Sequence, residues 1–226
     1  MDEIRLIEVK EDILADNKKV GDNVRKRLAE HNAFMVNLMA SPGAGKTCLI
    51  LKTIEALRDE LSIAVIEADI DSKVDSEKVA AQGIAAIQLR TGGFCHVDAS
   101  MVAKGLEALD LDKFDLIIIE NVGNLVCPAE VDTGANMDAM ILSIPEGHDK
   151  PLKYPTMFAA VDVVVVNKMD FLELTDFDMA AMKSSVQALN KGVPIFEVSS
   201  RTGDGIQAWA KFVRNRVAEY QASLRQ

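Results

Sequence analysis

The 226-residue chain is poor in cysteine, in histidine, in aromatic residues and in positive charge. Its three cysteines are an odd number, so we do not expect a disulfide framework, and each thiol needs its own explanation. Lysine and arginine number 25 against 35 acidic residues, and the net charge of −10 argues against binding to nucleic acid or to anionic membranes. No apolar run approaches membrane-spanning length and no signal peptide is recognisable, so we expect a cytoplasmic protein.

The rest of the composition is that of a globular domain. Apolar residues make up 49% of the chain and charged residues 27%, which suits one compact α/β domain that buries most of its apolar surface. Strand-like runs alternate with helical runs, and several strands are continuous apolar stretches, as expected when both faces of a sheet are covered. The order βαβαβ therefore predicts a mostly parallel central sheet with helices on both faces.

The predicted elements follow one another without an internal repeat or linker. A helix at about residues 10–31 precedes the core, with Gly21 as a candidate break point, and residues 145–155 are interpreted as a polar loop bounded by prolines. Strands are predicted at residues 34–39, 63–68, 86–89, 116–120, 139–144, 163–167 and 195–198. Helices are predicted at residues 47–58, 76–82, 99–109, 178–189 and 206–220.

Residues 40–47 read Ala-Ser-Pro-Gly-Ala-Gly-Lys-Thr and directly follow the first predicted strand. Gly43 and Gly45 let the backbone bend so that N–H groups converge on phosphate oxygens. Lys46 adds a positive charge near the β- and γ-phosphates, and the hydroxyl of Thr47 can ligate Mg²⁺. A chance Gly-Lys-Thr in a surface turn is the alternative, but the strand before and the helix after favour a phosphate-binding loop.

Three neighbours of these residues need separate interpretation. Ala40 stands where the pattern usually has glycine, and alanine is tolerated there if the local φ is negative. Ala44 lies inside the loop and belongs to the candidate nucleotide contacts. Cys48 follows Thr47 and is also a candidate contact, although a packing role is its simpler interpretation.

Acidic residues close two of the predicted strands. Glu120 ends a buried strand, and in parallel α/β folds such a residue lies at the edge where ligands bind. It can hold Mg²⁺ directly or through water, and with Lys46 and Thr47 it forms the candidate catalytic set; an exposed acid that merely ends a strand is the alternative. A second group consists of Glu67, Asp69, Asp71 and Asp75. The residues alone do not rank these four, although Asp69 closes a strand and is expected near the phosphates.

The sequence Asn167-Lys168-Met169-Asp170 directly follows another buried strand. In GTP-binding proteins the aspartate of such a motif accepts two hydrogen bonds from the guanine N1 and N2 groups, and adenine has no donors there. The stem of Lys168 can lie over the base. Ser200 and Arg201 follow the last strand and resemble the final guanine-contacting loop of the same class. We therefore expect a single GTP-binding domain over residues 1–226.

Cys95 and His96 stand side by side in a loop that begins with two glycines, and Cys127 follows the next strand. Both loops should emerge at the same edge of the sheet. Thiolate and imidazole ligands together suit Zn²⁺ or Ni²⁺. Three ligands leave the coordination sphere incomplete, so others would come from a partner chain or from water. Free cysteine is common in proteins, and the residues alone leave both interpretations open.

Together these segments resemble the hydrogenase nickel-incorporation GTPase family, the HypB-type maturation factors. The resemblance is carried by residues 41–47, 92–99, 119–128, 145–150 and 167–170. It implies a P-loop fold of the signal-recognition/MinD-like class and a nickel-delivering GTPase that forms homodimers. It also implies that Cys95, His96 and Cys127 bind metal at the dimer interface, and that Mg²⁺ lies near Thr47, Asp75 and Glu120. The implied partners are a hydrogenase maturation partner and the hydrogenase large subunit.

The chain departs from this family in three ways. It shows neither the cysteine-rich nickel motif nor the histidine-rich tract of some members, so we expect no high-affinity terminal nickel site. Phe94 replaces the acid often found before Cys95, and Ser100 stands where some members have histidine. These two departures leave the coordination number and the resting metal open.

Two alternative functions remain. One is a GTPase chaperone for another metalloenzyme, of the urease or cobalamin-enzyme type; urease relatives carry Cys-Pro-His, whereas Ala129 follows Cys127-Pro128 here. The other is a metal-binding scaffold that does not hydrolyse nucleotide. The intact Lys46 and Asp170 argue against this second alternative.

Overall fold

The computed structural model describes residues 9–69 and 79–225 of the chain. Within these ranges the strands are β1 Phe34–Ala40, β2 Ile63–Asp69, β3 Ala85–Arg90, β4 Leu116–Glu120, β5 Met137–Ser143, β6 Val163–Asn167 and β7 Ile195–Glu197. The helices are α1 Val9–Glu30, α2 Lys46–Leu57, α3 Ala99–Glu107, α4 Lys150–Lys153, α5 Pro155–Ala160, α6 Met179–Leu189 and α7 Ile206–Ser223. Residues 76–78 of the helix predicted at residues 76–82 lie outside the described residues, residues 79–80 are helical, and residues 81–82 form a turn.

The strands form one sheet in the order β3-β2-β4-β1-β5-β6-β7, and every neighbouring pair is parallel. Strands β1, β4 and β6 are buried along their whole length, which explains their continuous apolar runs. Helices α2 and α7 pack on one face, while α1, α3, α5 and α6 pack on the other. The predicted parallel sheet with helices on both faces is confirmed.

The candidate break in the first helix is wrong, because α1 continues through Gly21 to Glu30. A Cβ atom at Gly21 would lie 2.5 Å from a carboxylate oxygen of Asp132, so glycine lets this loop residue approach the helix. Arg25, one turn further on, pairs with the same carboxylate at 2.7 Å. Gly21 therefore allows Asp132 to lie close to the helix and does not interrupt it.

The predicted loop at residues 145–155 is also wrong in part. A 3-10 turn covers Ile144–Glu146, and two short helices, α4 and α5, follow it. Pro151 and Pro155 lie in the first turns of these helices, where the missing N–H of proline costs no hydrogen bond. The prolines thus begin helices here instead of bounding a loop.

No helix among the described residues combines the length and the apolar character needed to cross a bilayer.

Asp138, on the face of the sheet covered by α1, has an unusually high pKa. Asp138 of β5 accepts a hydrogen bond from the side-chain amide of Asn37 at 2.8 Å. Burial, opposed by this bond and by Arg25 and reinforced by Asp162 and Asp132, raises the pKa of Asp138 to about 6. Because the folded-state pKa lies above the unfolded value, the ionised carboxylate destabilises the fold, and stability present at acidic pH is lost as pH rises through about 6.

We therefore predict that Asp138→Asn raises the free energy of unfolding at pH 8, since an amide keeps the acceptor for Asn37 without the charge. The gain should exceed that at pH 5 by about 1 kcal/mol, and urea unfolding at both pH values measures it. Asp59→Asn removes the same charge from an exposed position and is the control. If the gain in unfolding free energy at pH 8 is no larger than that at pH 5, ionisation of Asp138 does not destabilise the fold.

Candidate functional site

A cavity of about 590 Å³ opens at the carboxyl edge of the sheet, beside the loops that follow β1, β2 and β4. Parallel α/β folds bind their ligands at this edge. The cavity is lined by most of the predicted nucleotide residues, by two acids at or near the end of β2 and by the beginning of the segment that leads to Cys127. These lining residues include Gly43, Gly45, Lys46, Thr47, Cys48, Glu67, Asp69, Gln88, Glu120, Asn121, Gly123 and Lys168.

The loop after β1 has the backbone that a phosphate loop needs. Gly43 and Gly45 have φ values of 76° and 98°, a left-handed conformation that residues with a side chain rarely adopt. A Cβ atom at Gly45 would also lie 2.5 Å from the amide nitrogen of Asn167. Ala40 is the buried last residue of β1 and is not among the residues with positive φ, so the expected tolerance of alanine there is consistent with the structure.

Lysine, threonine and glutamate meet at the cavity floor. Lys46 is 8% exposed, and its Nζ lies 3.5 Å from the carbonyl oxygen of Ser41. The Thr47 hydroxyl donates to Oε1 of Glu120 at 2.9 Å. A hydroxyl and a buried carboxylate side by side are hard oxygen ligands of the kind that Mg²⁺ prefers, so these residues fit the predicted magnesium ion. Asp69 also lines the cavity, and Asp75 lies outside the described residues.

A further acid at this floor was not ranked by the sequence. Glu67 of β2 is directly opposite Glu120 of β4 in the sheet register and is 3% exposed. Gln88 of β3 is its neighbour on the other side and also lines the cavity. Strand periodicity would have identified Glu67, because alternate residues of a strand share one face and Glu67 is two positions before Asp69.

Cys48 does not pack in the core. Its side chain is exposed and lines the cavity, directly after Thr47 at the start of α2. The packing interpretation is therefore wrong, and the position of Cys48 is compatible with the nucleotide contact that the sequence also suggested.

The Asn-Lys-x-Asp segment is joined to the phosphate loop by side-chain hydrogen bonds. The Asn167 amide donates to the carbonyl of Ala44 at 3.0 Å, and its oxygen accepts from the backbone N–H and the hydroxyl of Ser200. Lys168 adopts a left-handed φ of 62°, and its ammonium donates to the carbonyl of Gly43 at 2.7 Å. Such strain at a non-glycine residue is typical of functional sites.

Asp170 lies close to the last loop. The hydroxyl of Ser199 donates to it at 2.6 Å, and Arg201 pairs with its other oxygen at 2.9 Å. The bond from Ser199, together with Arg201, holds the pKa of Asp170 below its ordinary value, so the carboxylate stays ionised as an acceptor. The sequence missed Ser199. Ser200, which was predicted to contact the edge of the base, instead contacts Asn167. Arg201 pairs with Asp170, and its side chain is mostly exposed.

Both cysteine loops converge on one point of the surface. The ligand atoms of Cys95, His96 and Cys127 all lie within 4.8 Å of one another. The two sulfur atoms are 3.2 Å apart, and the Cys95 sulfur is 3.9 Å from Nδ1 of His96. Two thiolates around a tetrahedral zinc ion would be about 3.8 Å apart. The sulfur atoms of Cys95 and Cys127 would therefore have to move only slightly apart to bind one ion. The structure therefore brings the predicted metal ligands together.

The Cys95 thiol is affected by its neighbour Cys127. The hydrogen bond between Cys95 and Cys127, with burial and the charge that Cys127 would carry, raises the pKa of the Cys95 thiol above its ordinary value. A metal ion must therefore displace protons to bind, as is usual for thiolate sites.

A phosphate loop, a threonine–glutamate pair and an Asn-Lys-x-Asp segment at one edge of a parallel sheet define a P-loop GTPase. Residues 34–197 match the family described as CobW/HypB/UreG, nucleotide-binding domain. Hydrogenase maturation factor HypB of Azotobacter chroococcum mcd 1 is 41% identical over 221 residues, which cover 97% of this chain and 72% of that protein. The chain therefore belongs to the HypB family of hydrogenase maturation factors.

Solved structures agree with this assignment. HypB from Helicobacter pylori, crystallised in complex with nickel, is similar with a TM-score of 0.86 at 36% identity, covering 90% of this chain and 96% of that one. The signal recognition particle 54 kDa protein of Aeropyrum pernix, in complex with GDP, has a TM-score of 0.55 at 16% identity, covering 85% of this chain and 48% of that one. The second likeness concerns the fold alone, and it confirms the expected resemblance to signal-recognition GTPases.

We predict that Asp170→Asn weakens GTP binding by about 30- to 150-fold, since losing a hydrogen-bonded charge costs roughly 2–3 kcal/mol. The variant should gain affinity for xanthosine triphosphate, because the new amide can donate to the oxygen that xanthine carries at position 2. Titration with fluorescent analogues of GTP, xanthosine triphosphate and ATP measures the three affinities. Asp176→Asn, which removes an exposed acid nearby, is the control. Equal affinity of the wild-type chain for ATP and GTP would contradict the assignment.

Proposed function

We propose that this chain is a slow GTPase that delivers nickel during maturation of nickel–iron hydrogenases, with GTP hydrolysis coupled to dimerisation and metal transfer. The observation that supports this most directly is the position of Cys95, His96 and Cys127. They form a thiol–imidazole cluster at the same edge of the sheet as the phosphate loop. The nickel bound to the related HypB of Helicobacter pylori supports the same identity for the cargo.

The nucleotide would be held by groups that are already in place. The glycines and backbone N–H groups of residues 43–47 would surround the phosphates, and Lys46 would stabilise the charge that shifts onto them during phosphoryl transfer. Thr47 and Glu120 would hold a magnesium ion, with Asp69 and Asp75 as further candidates. That ion would neutralise phosphate charge. Asp170 would select guanine, and Lys168 and Arg201 would lie against the base.

Nickel or zinc would bind as cargo at the cysteine cluster. Two thiols and an imidazole supply three soft or borderline ligands, which leaves room for a fourth from a second copy of the chain or from water. Phe94 and Val126 beside the ligands are 58% and 57% exposed. Apolar side chains that flank an incomplete metal sphere suit a surface that a second copy covers, so we place the dimer contact here.

The chain would act as a single GTP-binding domain over residues 1–226, with α1 preceding the core. Its proposed partners are a hydrogenase maturation partner and the hydrogenase large subunit. We propose that it acts in the cytoplasm, because two thiols 3.2 Å apart must stay reduced to bind metal.

A second client remains a candidate, because the matched family also takes in CobW and UreG. Ala129 after Cys127-Pro128 argues against a urease-type metal motif. A scaffold that does not hydrolyse GTP is less consistent with the buried Lys46 and with the contact between Thr47 and Glu120. Magnesium-dependent turnover of GTP, without comparable turnover of ATP, distinguishes the enzyme from the scaffold.

We predict that Cys127→Ala lowers nickel affinity by more than about 100-fold, the upper range seen when only a supporting group around a metal is lost. GTP affinity should be unchanged, since Cys127 makes no proposed nucleotide contact. Competition with a coloured chelator measures nickel binding, and a fluorescent GTP analogue measures the nucleotide. Cys48→Ala removes the third thiol and should keep nickel affinity. Full nickel affinity in Cys127→Ala would refute the metal centre.

A further inference from the structure

The segment from Glu120 to Cys127 rests directly on the phosphate loop. A Cβ atom at Gly123 would lie 2.9 Å from the backbone nitrogen of Pro42, so only glycine permits this contact. The next residue, Asn124, donates its backbone N–H to the carbonyl of Ala40 at 2.9 Å. The segment that carries Cys127 is therefore hydrogen-bonded to the strand end from which the phosphate loop starts.

The side chain of Asn124 reaches in the other direction, towards the metal ligands. Its amide nitrogen donates to the carbonyl of Cys95 at 3.2 Å. Its amide oxygen accepts from the backbone N–H of Val126, the residue before Cys127, at 2.9 Å. One carboxamide thus uses a donor for one ligand-bearing loop and an acceptor for the other, and neither alanine nor aspartate could make both bonds.

Asn121 makes a second connection of the same kind. Its side-chain oxygen accepts from the backbone N–H of Val97 at 3.2 Å, and its amide donates to Asn37 at 3.0 Å. Asn121 is 1% exposed, so truncating it would leave buried groups without hydrogen bonds and endanger the fold. Asn124 is half-buried and makes its phosphate-loop contact through the backbone, which any substitution other than proline keeps.

We propose that Asn124 is the positioning residue through which the nucleotide state sets the geometry of the Cys95–Cys127 pair. Its backbone is held by the phosphate-loop strand, and its side chain holds the peptide of one ligand and the approach to the other. A shift of the phosphate loop relative to β4 thus changes both thiol positions together. This inference rests on the proposed function, and it identifies the residue that transmits regulation between the two sites.

The experiment measures the dissociation constant of Ni²⁺ with GDP and with a non-hydrolysable GTP analogue bound, under reducing conditions. Couplings of this kind typically change affinity about 5- to 150-fold. Asn124→Ala should bring the two nickel constants within about twofold of each other. Nucleotide affinity should change less than about threefold, because the backbone bond to Ala40 remains. Asn124→Asp should behave like the alanine variant, since a carboxylate cannot donate to Cys95.

The control is Asn190→Ala. Asn190 also donates its amide to backbone carbonyls, of Phe158 and Val161, but on the opposite side of the sheet from α2 and near α6. It should lose stability and keep the wild-type ratio of nickel constants. Retention of that ratio in both Asn124 variants would overturn the inference while leaving the proposed function intact. A wild-type chain that binds no nickel, or binds it equally in both nucleotide states, would refute the proposed function itself.

Discussion

The common direction of the seven strands determines where the chemistry of this protein can occur. Because all neighbouring pairs are parallel, the loop after each strand emerges at one edge of the sheet. The phosphate loop follows β1, Glu120 ends β4, Asn167 ends β6, and the first cysteine loop follows β3. The strand order places β4 directly beside β1, so the segment that leads to Cys127 must pass over the phosphate loop.

Two acidic residues are buried at this edge of the sheet. Glu67 and Glu120 are neighbours across the β2–β4 pair, and both are buried. Buried carboxylate groups are stabilised by positive charge that lies near them. Lys46 supplies one such charge, and the magnesium ion proposed at Thr47 and Glu120 would supply another. The positive charge of the proposed magnesium ion would offset both these carboxylates and the phosphates of the nucleotide.

Much of this arrangement could be predicted from the sequence, because local patterns determine it. Continuous apolar runs predicted the strands, and the Gly-Lys-Thr and Asn-Lys-x-Asp motifs predicted segments that the fold brings into contact at one edge of the sheet. The missed features depend on contacts between distant residues. Gly21 lies against Asp132, and Gly123 lies against Pro42. The sequence alone does not show that these two glycines permit close contacts, because their partners are distant in the chain. The hydroxyl of Ser199, the neighbour of the predicted Ser200, donates to Asp170 because the last loop folds back on that residue.

We propose that the nickel site and the GTP site form one linked system. The most direct test on the wild-type chain is a closed cycle of four titrations: Ni²⁺ with and without the GTP analogue, and the GTP analogue with and without Ni²⁺. Linkage requires that the factor by which nucleotide changes nickel affinity equals the factor by which nickel changes nucleotide affinity. We expect equal factors of about fivefold or more. If the chain binds each ligand but both factors are indistinguishable from one, the two sites are not linked.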